Sequence, residues 1–144
     1  MYEVHYEGLE ANLYDLIWQD EYDDEAFYSW LLSEKEGKIL EVACGTGRIL
    51  IPFSQRGWDI EGLDASQTML NLCAQKAKAL GLSPILHHQK MEKMSLPEKY
   101  DTIFLPGFSF QLLTIREQAD QALKRFRKHL AKDGQLIIST FVPW

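Results

Sequence analysis

The sequence predicts an α/β fold built on a doubly wound, mostly parallel sheet, and three observations predict it. Short apolar runs bounded by turn residues alternate with longer segments of helical periodicity. No internal repeat, low-complexity tract or linker interrupts that alternation. A turn carrying Gly45 and Gly47 separates the first strand-like run from the helix after it. A length of 144 residues suits one domain with a modest core, and 46% hydrophobic content places the chain among globular rather than disordered proteins.

The elements follow in order. Residues 10–18 and 24–34 read as amphipathic helices. Leu13, Tyr14, Ile17 and Trp18 recur on one face of the first; Phe27, Trp30 and Leu31 share a face of the second, with Asp24 as its cap. Residues 38–43 form the first strand. A helix starts near Gly47, tolerates Pro52 in its first turns and stops at Gly57. Residues 58–63 form the second strand. Ser66 caps the next helix, whose stripe is Met69, Cys73, Ala77 and Leu80, with Gly81 ending it. Residues 84–88 give a short third strand, and a polar connection leads to the fourth at 100–106. The longest helix spans 116–131, with Ala119, Leu123, Phe126 and Leu130 in line. Lys132-Asp133-Gly134 turns the chain into a fifth strand at 135–142. The two opening helices make residues 1–36 a helical cap on a core at 37–144, within a single domain. Right-handed crossovers place such strands in one sheet, with a ligand crevice at their C-terminal ends.

Composition narrows the function. A net charge of −6 argues against non-specific nucleic-acid binding, which depends on Lys and Arg meeting phosphates. No apolar run approaches the ~18 residues of a membrane helix, and the acidic opening residues "MYEVHYEGLE" argue against a secretory signal peptide. Cys44 and Cys73 match no zinc spacing and read as free thiols of a reducing cytoplasm. His87 and His88 alternate faces with no further ligand at metal spacing, so no metal site is expected.

Gly45 and Gly47 lie where the crevice is expected. They permit unusual backbone angles and remove a Cβ, so a ligand can come close to the backbone; the helix after them offers free N–H groups. A tight turn alone is the alternative. A phosphate loop of the Gly-Lys-Ser/Thr kind is excluded, because Arg48 and Ile49 follow Gly47. A dinucleotide loop needs a third glycine where Leu50 stands. What is left is a nucleoside ligand without a pyrophosphate.

Four stretches carry a resemblance in the right order and spacing: "ILEVACGTGRIL" (39–50), "EGLDASQTML" (61–70), "EKYDTIFLPGFSF" (98–110) and "ALKRFRKHLAKDGQLIISTF" (122–141). Over about residues 37–142 the chain resembles the class I S-adenosylmethionine-dependent methyltransferases, which have a Rossmann-like fold. The resemblance implies S-adenosylmethionine as cofactor, a small-molecule acceptor and a set of cofactor-binding residues. Asp64 would accept hydrogen bonds from both ribose hydroxyls, its alternative role being a helix cap. Gly45, with the backbone at Ala43 and Cys44, would face the methionyl part. Glu41 would orient the glycine loop or meet the ligand ammonium. Ala65 and Met69 would pack near adenine and ribose, Leu105 and Pro106 would flank the sulfonium, and Tyr14 would cover the methionine end. For Met69 and Met91 the core is the competing role. The chain departs from the family where similar enzymes carry an Asp for the adenine amino group, because Lys90 stands there and offers no acceptor. Glu92 replaces it, or backbone around Met91 does, or affinity is reduced.

Methyl transfer from a sulfonium needs positioning more than acid catalysis, and no residue is assigned as a base; His5, His87 and His88 lack support for that role. A non-catalytic S-adenosylmethionine or S-adenosylhomocysteine-binding module and a nicotinamide-dependent oxidoreductase are the alternatives. Similar enzymes continue past a fifth strand, so the resemblance implies a chain lacking the final strands. Leu136, Ile137, Ile138 and Phe141 would then lie beside an open edge inviting self-association.

Overall fold

All four positions of β1 (Ile39–Val42) are buried. A strand covered on both faces belongs in the middle of a parallel sheet, and β1 lies there, between β2 (Ile60–Asp64) and β4 (Tyr100–Leu105). β3 (Leu86–His88) flanks β2, and β5 (Leu130–Ile138) flanks β4. The order is β3-β2-β1-β4-β5, with every pairing parallel. The structure, a computed structural model, describes residues 6–18, 24–33 and 36–142. The expectations for His5, for the side chain of Trp18 and for the end at Trp144 fall outside those residues.

Among the described residues, α2 (Glu25–Leu32), α3 (Leu50–Gln55), α4 (Gln67–Ala79) and α5 (Arg116–His129) cover the sheet, and α1 (Gly8–Trp18) is tied to α4 and the glycine loop. Successive strand residues face opposite ways, which sorts the core into two sides. Leu40, Val42, Leu63 and Ile103 pack with Ala122 and Phe126 of α5. Ile39, Ile60 and Phe104 pack with Tyr28 and Leu32 of α2 and with Phe53 of α3.

Several expected helix faces are rotated. In α2, Tyr28 and Leu32 are buried while Phe27 and Trp30 are exposed, because the Tyr28 ring packs 5.3 Å from that of Phe104. In α1, Ala11 is buried, and Leu9, Leu16 and Ile17 face solvent. Leu80 caps α4 at its C-terminus and is exposed. In α5, Ala122, Phe126 and His129 are buried and Leu123 is exposed. His129 is admitted to the core because both ring nitrogens are satisfied. Nδ1 bonds the carbonyl of Arg125 at 2.7 Å, and Nε2 accepts the N–H of Leu96 at 2.9 Å.

Asp24 does not cap α2 with its side chain. Its carboxylate takes two guanidinium bonds from Arg48 instead, a fork between opposite charges in place of a single bond to a backbone N–H. The turn expected at Lys132–Gly134 lies inside β5. The ladder pairs Tyr100 with Leu130 and then Thr102 with Gln135, so residues 131–134 form a bulge. Leu136 and Ile138 are half-buried against the α5 side of the core and Ile137 against the other side, while Phe141 is exposed. Among the described strands, β5 is an edge.

Candidate functional site

The direction of chain crossing reverses between β1 and β4, and the space outside their C-terminal ends is where an open α/β sheet accepts ligands. Two adjoining cavities lie there, of about 180 and 380 Å³, sharing Tyr6, Tyr14, Ala43 and Gly45 in their walls.

The loop after β1 is held in an unusual shape. Ala43 has φ +60° and Gly45 φ +54°. A left-handed alanine is strained and persists only where its surroundings impose it. One of those surroundings is Asp64, at the end of β2: Oδ2 accepts the Gly45 N–H and Oδ1 accepts the Ser66 N–H, both at 2.8 Å. Capping of α4 falls to Ser66, whose Oγ accepts the Met69 N–H at 3.2 Å. Gly47 serves packing: a Cβ there would sit 2.5 Å from Cys73 Sγ and 2.9 Å from Ile51.

The smaller cavity is lined by Asp64, Ala65 and Met69 on one side and by Lys90, Met91 and Glu92 on the other. Gln89 does not compete for a ligand there, since its amide bonds both the N–H and the carbonyl of Ser95. The larger cavity is lined by Glu41, Cys44, Thr46 and Arg48 from the glycine-loop side, and by Pro106, Phe108, Ser109 and Gln111 beyond β4. Of the cofactor-binding residues that the resemblance implies, all but Leu105 line one cavity or the other; Leu105 is fully buried in the α5 side of the core, and Gly47 of the loop also lines neither.

Glu41 dominates the electrostatics of the larger cavity. It is 2% exposed, and its Oε2 has no hydrogen-bond partner among the described residues. Burial pushes its carboxyl well above the usual range, with the charges of Asp24 and Asp64 adding; Arg48 and the Leu50 N–H oppose the shift. Burial also raises the Cys44 thiol well above its ordinary value and the Cys73 thiol to about 12, so neither is a thiolate nucleophile near neutrality.

Several site residues carry no local sequence signal. Thr46 donates to Asp15 Oδ1 of α1 at 2.6 Å, and Lys76 of α4 bonds Asp15 Oδ2 at 2.7 Å. Ser66 Oγ donates to the carbonyl of Tyr6 at 2.6 Å. These bonds hold α1 and the edge-to-face pair Tyr6 and Tyr14, 5.0 Å apart, over the crevice. On the far side, Phe108 has φ +61°, and Gln111 bonds both the N–H and the carbonyl of Phe141. The Phe108 and Phe141 rings meet at 6.1 Å. His87 and His88 diverge, His87 toward Glu61 and His88 toward the carbonyl of Ala65. The described residues contain no group of three or more His, Cys, Asp or Glu able to hold a metal ion.

Residues 39–134 match a family described as "Methyltransferase domain". A dTDP-3-amino-3,6-dideoxy-alpha-D-glucopyranose N,N-dimethyltransferase from Streptomyces fradiae is 31% identical, over 99% of this chain and 56% of that protein. The crystal structure of Streptomyces venezuelae DesVI aligns with a TM-score of 0.79 at 25% identity, over 94% of this chain and 59% of that one. The amino pentose methyltransferase CalS10 from Micromonospora echinaspora, solved with SAM bound, aligns with a TM-score of 0.76 at 22% identity, over 99% of this chain and 60% of that one, a likeness of fold. The chain thus spans somewhat over half the length of these relatives.

Proposed function

The chain belongs to the methyltransferase-domain family, and from that premise we propose that it binds S-adenosylmethionine across the two cavities and transfers the methyl group to a small-molecule acceptor. Its five parallel strands and flanking helices form the Rossmann-like fold of class I methyltransferases. The observation that carries the reading is the pair of carboxylates at the strand ends. Asp64 lines one cavity, and Glu41, with an oxygen unsatisfied among the described residues, lines the other. A nucleoside bearing a charged amino acid suits that separation.

In this reading the adenosine half occupies the smaller cavity. Each Asp64 oxygen holds a backbone N–H, and a carboxylate oxygen can accept more than one bond, so a ribose hydroxyl can join them. Ala65, Met69 and Met91 flank the base, and Glu92 is the carboxylate within reach of the adenine amino group in place of Lys90. The methionyl half lies against Glu41, Ala43, Cys44 and Gly45, with Pro106 and Tyr14 closing around the sulfur. Leu105 acts from behind, fixing Pro106 through the core.

S-adenosylmethionine supplies a methyl group already activated on a sulfonium. The protein's part is to hold donor and acceptor in line and exclude water. Among the described residues, the wall beyond β4 offers Phe108, Ser109 and Gln111, with Tyr14 of α1 facing them; the cavity's carboxyl, Glu41, is assigned to the ligand ammonium, which leaves no His, Lys or Asp there to take a proton. That favours an amine acceptor, whose lone pair attacks before its proton is lost, over a hydroxyl. The Streptomyces fradiae relative, named for N,N-dimethylation of an amino sugar, supports the same choice.

S-adenosylhomocysteine is expected to raise the melting temperature, and labelled methyl groups are expected to pass to a dTDP-3-amino sugar but not to its 3-hydroxy counterpart. No thermal shift at millimolar ligand would remove the cofactor assignment. Transfer to the hydroxyl sugar alone would remove the amine assignment.

We place residues 1–36 as a cap and 37–144 as the core of one domain, acting in the cytoplasm, where Cys44 and Cys73 remain free thiols. No described helix is long and apolar enough to cross a membrane. The acidic balance disfavours nucleic acid. The outer edge of β5 is the surface through which copies would self-associate, and sedimentation at micromolar concentration tests that.

A further inference from the structure

Glu41 has a property that ligand contact alone does not explain. It is almost fully buried, one oxygen is unsatisfied among the described residues, and it lines an open cavity. The ionisable groups around it come from every neighbouring element. Asp24 and Tyr28 approach from α2 and the residue before it, Arg48 from the turn before α3, Asp64 from β2, Cys44 from the glycine loop and Cys73 from α4. The cation among them, Arg48, grips Asp24 with both terminal nitrogens. Two neighbouring carboxylates and loss of water favour a neutral acid at this position. A ligand ammonium entering the cavity would reverse that preference.

We propose that the α-ammonium of an amino-acid-bearing nucleoside takes the place of the Glu41 proton, so that each such ligand bound releases one proton to solvent. The inference rests on the reading of the crevice as an S-adenosylmethionine site. The Glu41 O–H bond breaks, the proton passes to buffer, and the ammonium N–H groups donate to the carboxylate left behind. The pocket exchanges one positive charge for another and keeps its net charge. Affinity then rises with pH by about tenfold per unit while ligand-free Glu41 stays protonated, and levels off above that range. A nucleoside without the ammonium binds with no such slope.

Titration calorimetry in mild acid, just above the ordinary carboxylate range, in buffers of different ionisation enthalpy, tests the exchange. The probes are S-adenosylhomocysteine, which carries the ammonium, and 5′-methylthioadenosine, which lacks it. The expected result is close to one proton released with the first and none with the second. Glu41→Gln is expected to bind S-adenosylhomocysteine with no proton release and a flat pH dependence. S-adenosylhomocysteine binding without proton release, or equal release with both probes, overturns the proposal while leaving the cofactor reading in place. Should Glu41→Gln fail to fold, the two probes on the unaltered protein still decide. Failure of both probes to bind overturns the cofactor reading itself, and the proton exchange with it.

Discussion

Glu41 and Glu61 are both buried carboxylates, 2% and 3% exposed, on neighbouring central strands. They face opposite sides of the sheet, since Glu61 pairs in register with Leu40 and Glu41 with Gly62. Glu61 accepts from Tyr100 Oη at 2.7 Å and Lys38 Nζ at 3.0 Å, and meets His87 Nε2 at 2.8 Å. Burial alone would raise its carboxyl, but the bonds from His87, Tyr100 and Lys38 hold it below the ordinary value. Glu41 has an oxygen without a partner among the described residues, and its carboxyl is raised. The sheet thus contains one carboxylate built as a staple between strands and one left unfinished beside a cavity. A buried polar group that the fold does not satisfy points to a ligand that does.

The largest effect comes from breaking the staple. Glu61→Ala leaves the Tyr100 hydroxyl and the Lys38 ammonium without their carboxylate, and is expected to lower unfolding stability by about 3–5 kcal/mol. Urea denaturation of the ligand-free protein measures it, and a loss near zero would show that Glu61 is not structural.

On the crevice side, Asp64→Ala is expected to weaken S-adenosylhomocysteine binding by on the order of 1.5–3 kcal/mol, through lost charge-assisted bonds. Thermal stability falls as well, because the Gly45 and Ser66 N–H groups lose their acceptor. Unchanged affinity in the folded variant would reduce Asp64 to a loop anchor.

Glu41→Gln sharpens the contrast through pH. The folded-state carboxyl of Glu41 is raised above the ordinary 4.5, so its contribution to stability is full below that value and is lost as pH rises toward the raised one. Glu61 is lowered, so its contribution is present above 4.5 and is lost on acidification through the lowered value. Glu41→Gln is therefore expected to change stability by no more than about 1 kcal/mol in mild acid and to gain on the unaltered protein as pH rises. Denaturation midpoints across pH that stay parallel would contradict this.

The smallest effect is a gain. Lys90→Asp places an acceptor on the wall of the smaller cavity, and a tightening of S-adenosylhomocysteine by about 0.5–1.5 kcal/mol is expected. Calorimetry showing no tightening would mean that Glu92 or backbone already satisfies the adenine.

Much of this molecule was legible residue by residue. The alternation of "ILEVA", "IEGLD" and "YDTIFL" with helical segments marks strands by their local apolar runs, and all three are strands. Gly45 and Asp64 were identifiable as crevice residues because glycine loops and strand-end carboxylates have positions defined by short-range order. Of the expected buried faces, Leu31 of α2 and Phe126 of α5 meet the core, but Leu13, Ile17, Phe27, Trp30 and Leu123 are exposed, because periodicity shows that an apolar stripe exists and not which neighbour will cover it. Tyr28 is buried by Phe104, and His129 by a loop carrying Leu96.

Glu41 and Glu61 mark the boundary most clearly. Glu41 stands among apolar neighbours and Glu61 in a short run between Asp59 and Asp64, and nothing local shows which of the two will find donors. The sequence by itself put both within strand-like apolar runs; that those strands are neighbours inside the sheet, and that both carboxyls are buried, was decided by the sheet. Which of them is satisfied depends on donors far along the chain: Lys38, His87 and Tyr100 converge on Glu61, while Arg48, a cation that acts on Glu41, gives both terminal nitrogens to Asp24. Long-range hydrogen bonds depend on where the sheet brings its strands together, and only the tertiary structure decides that.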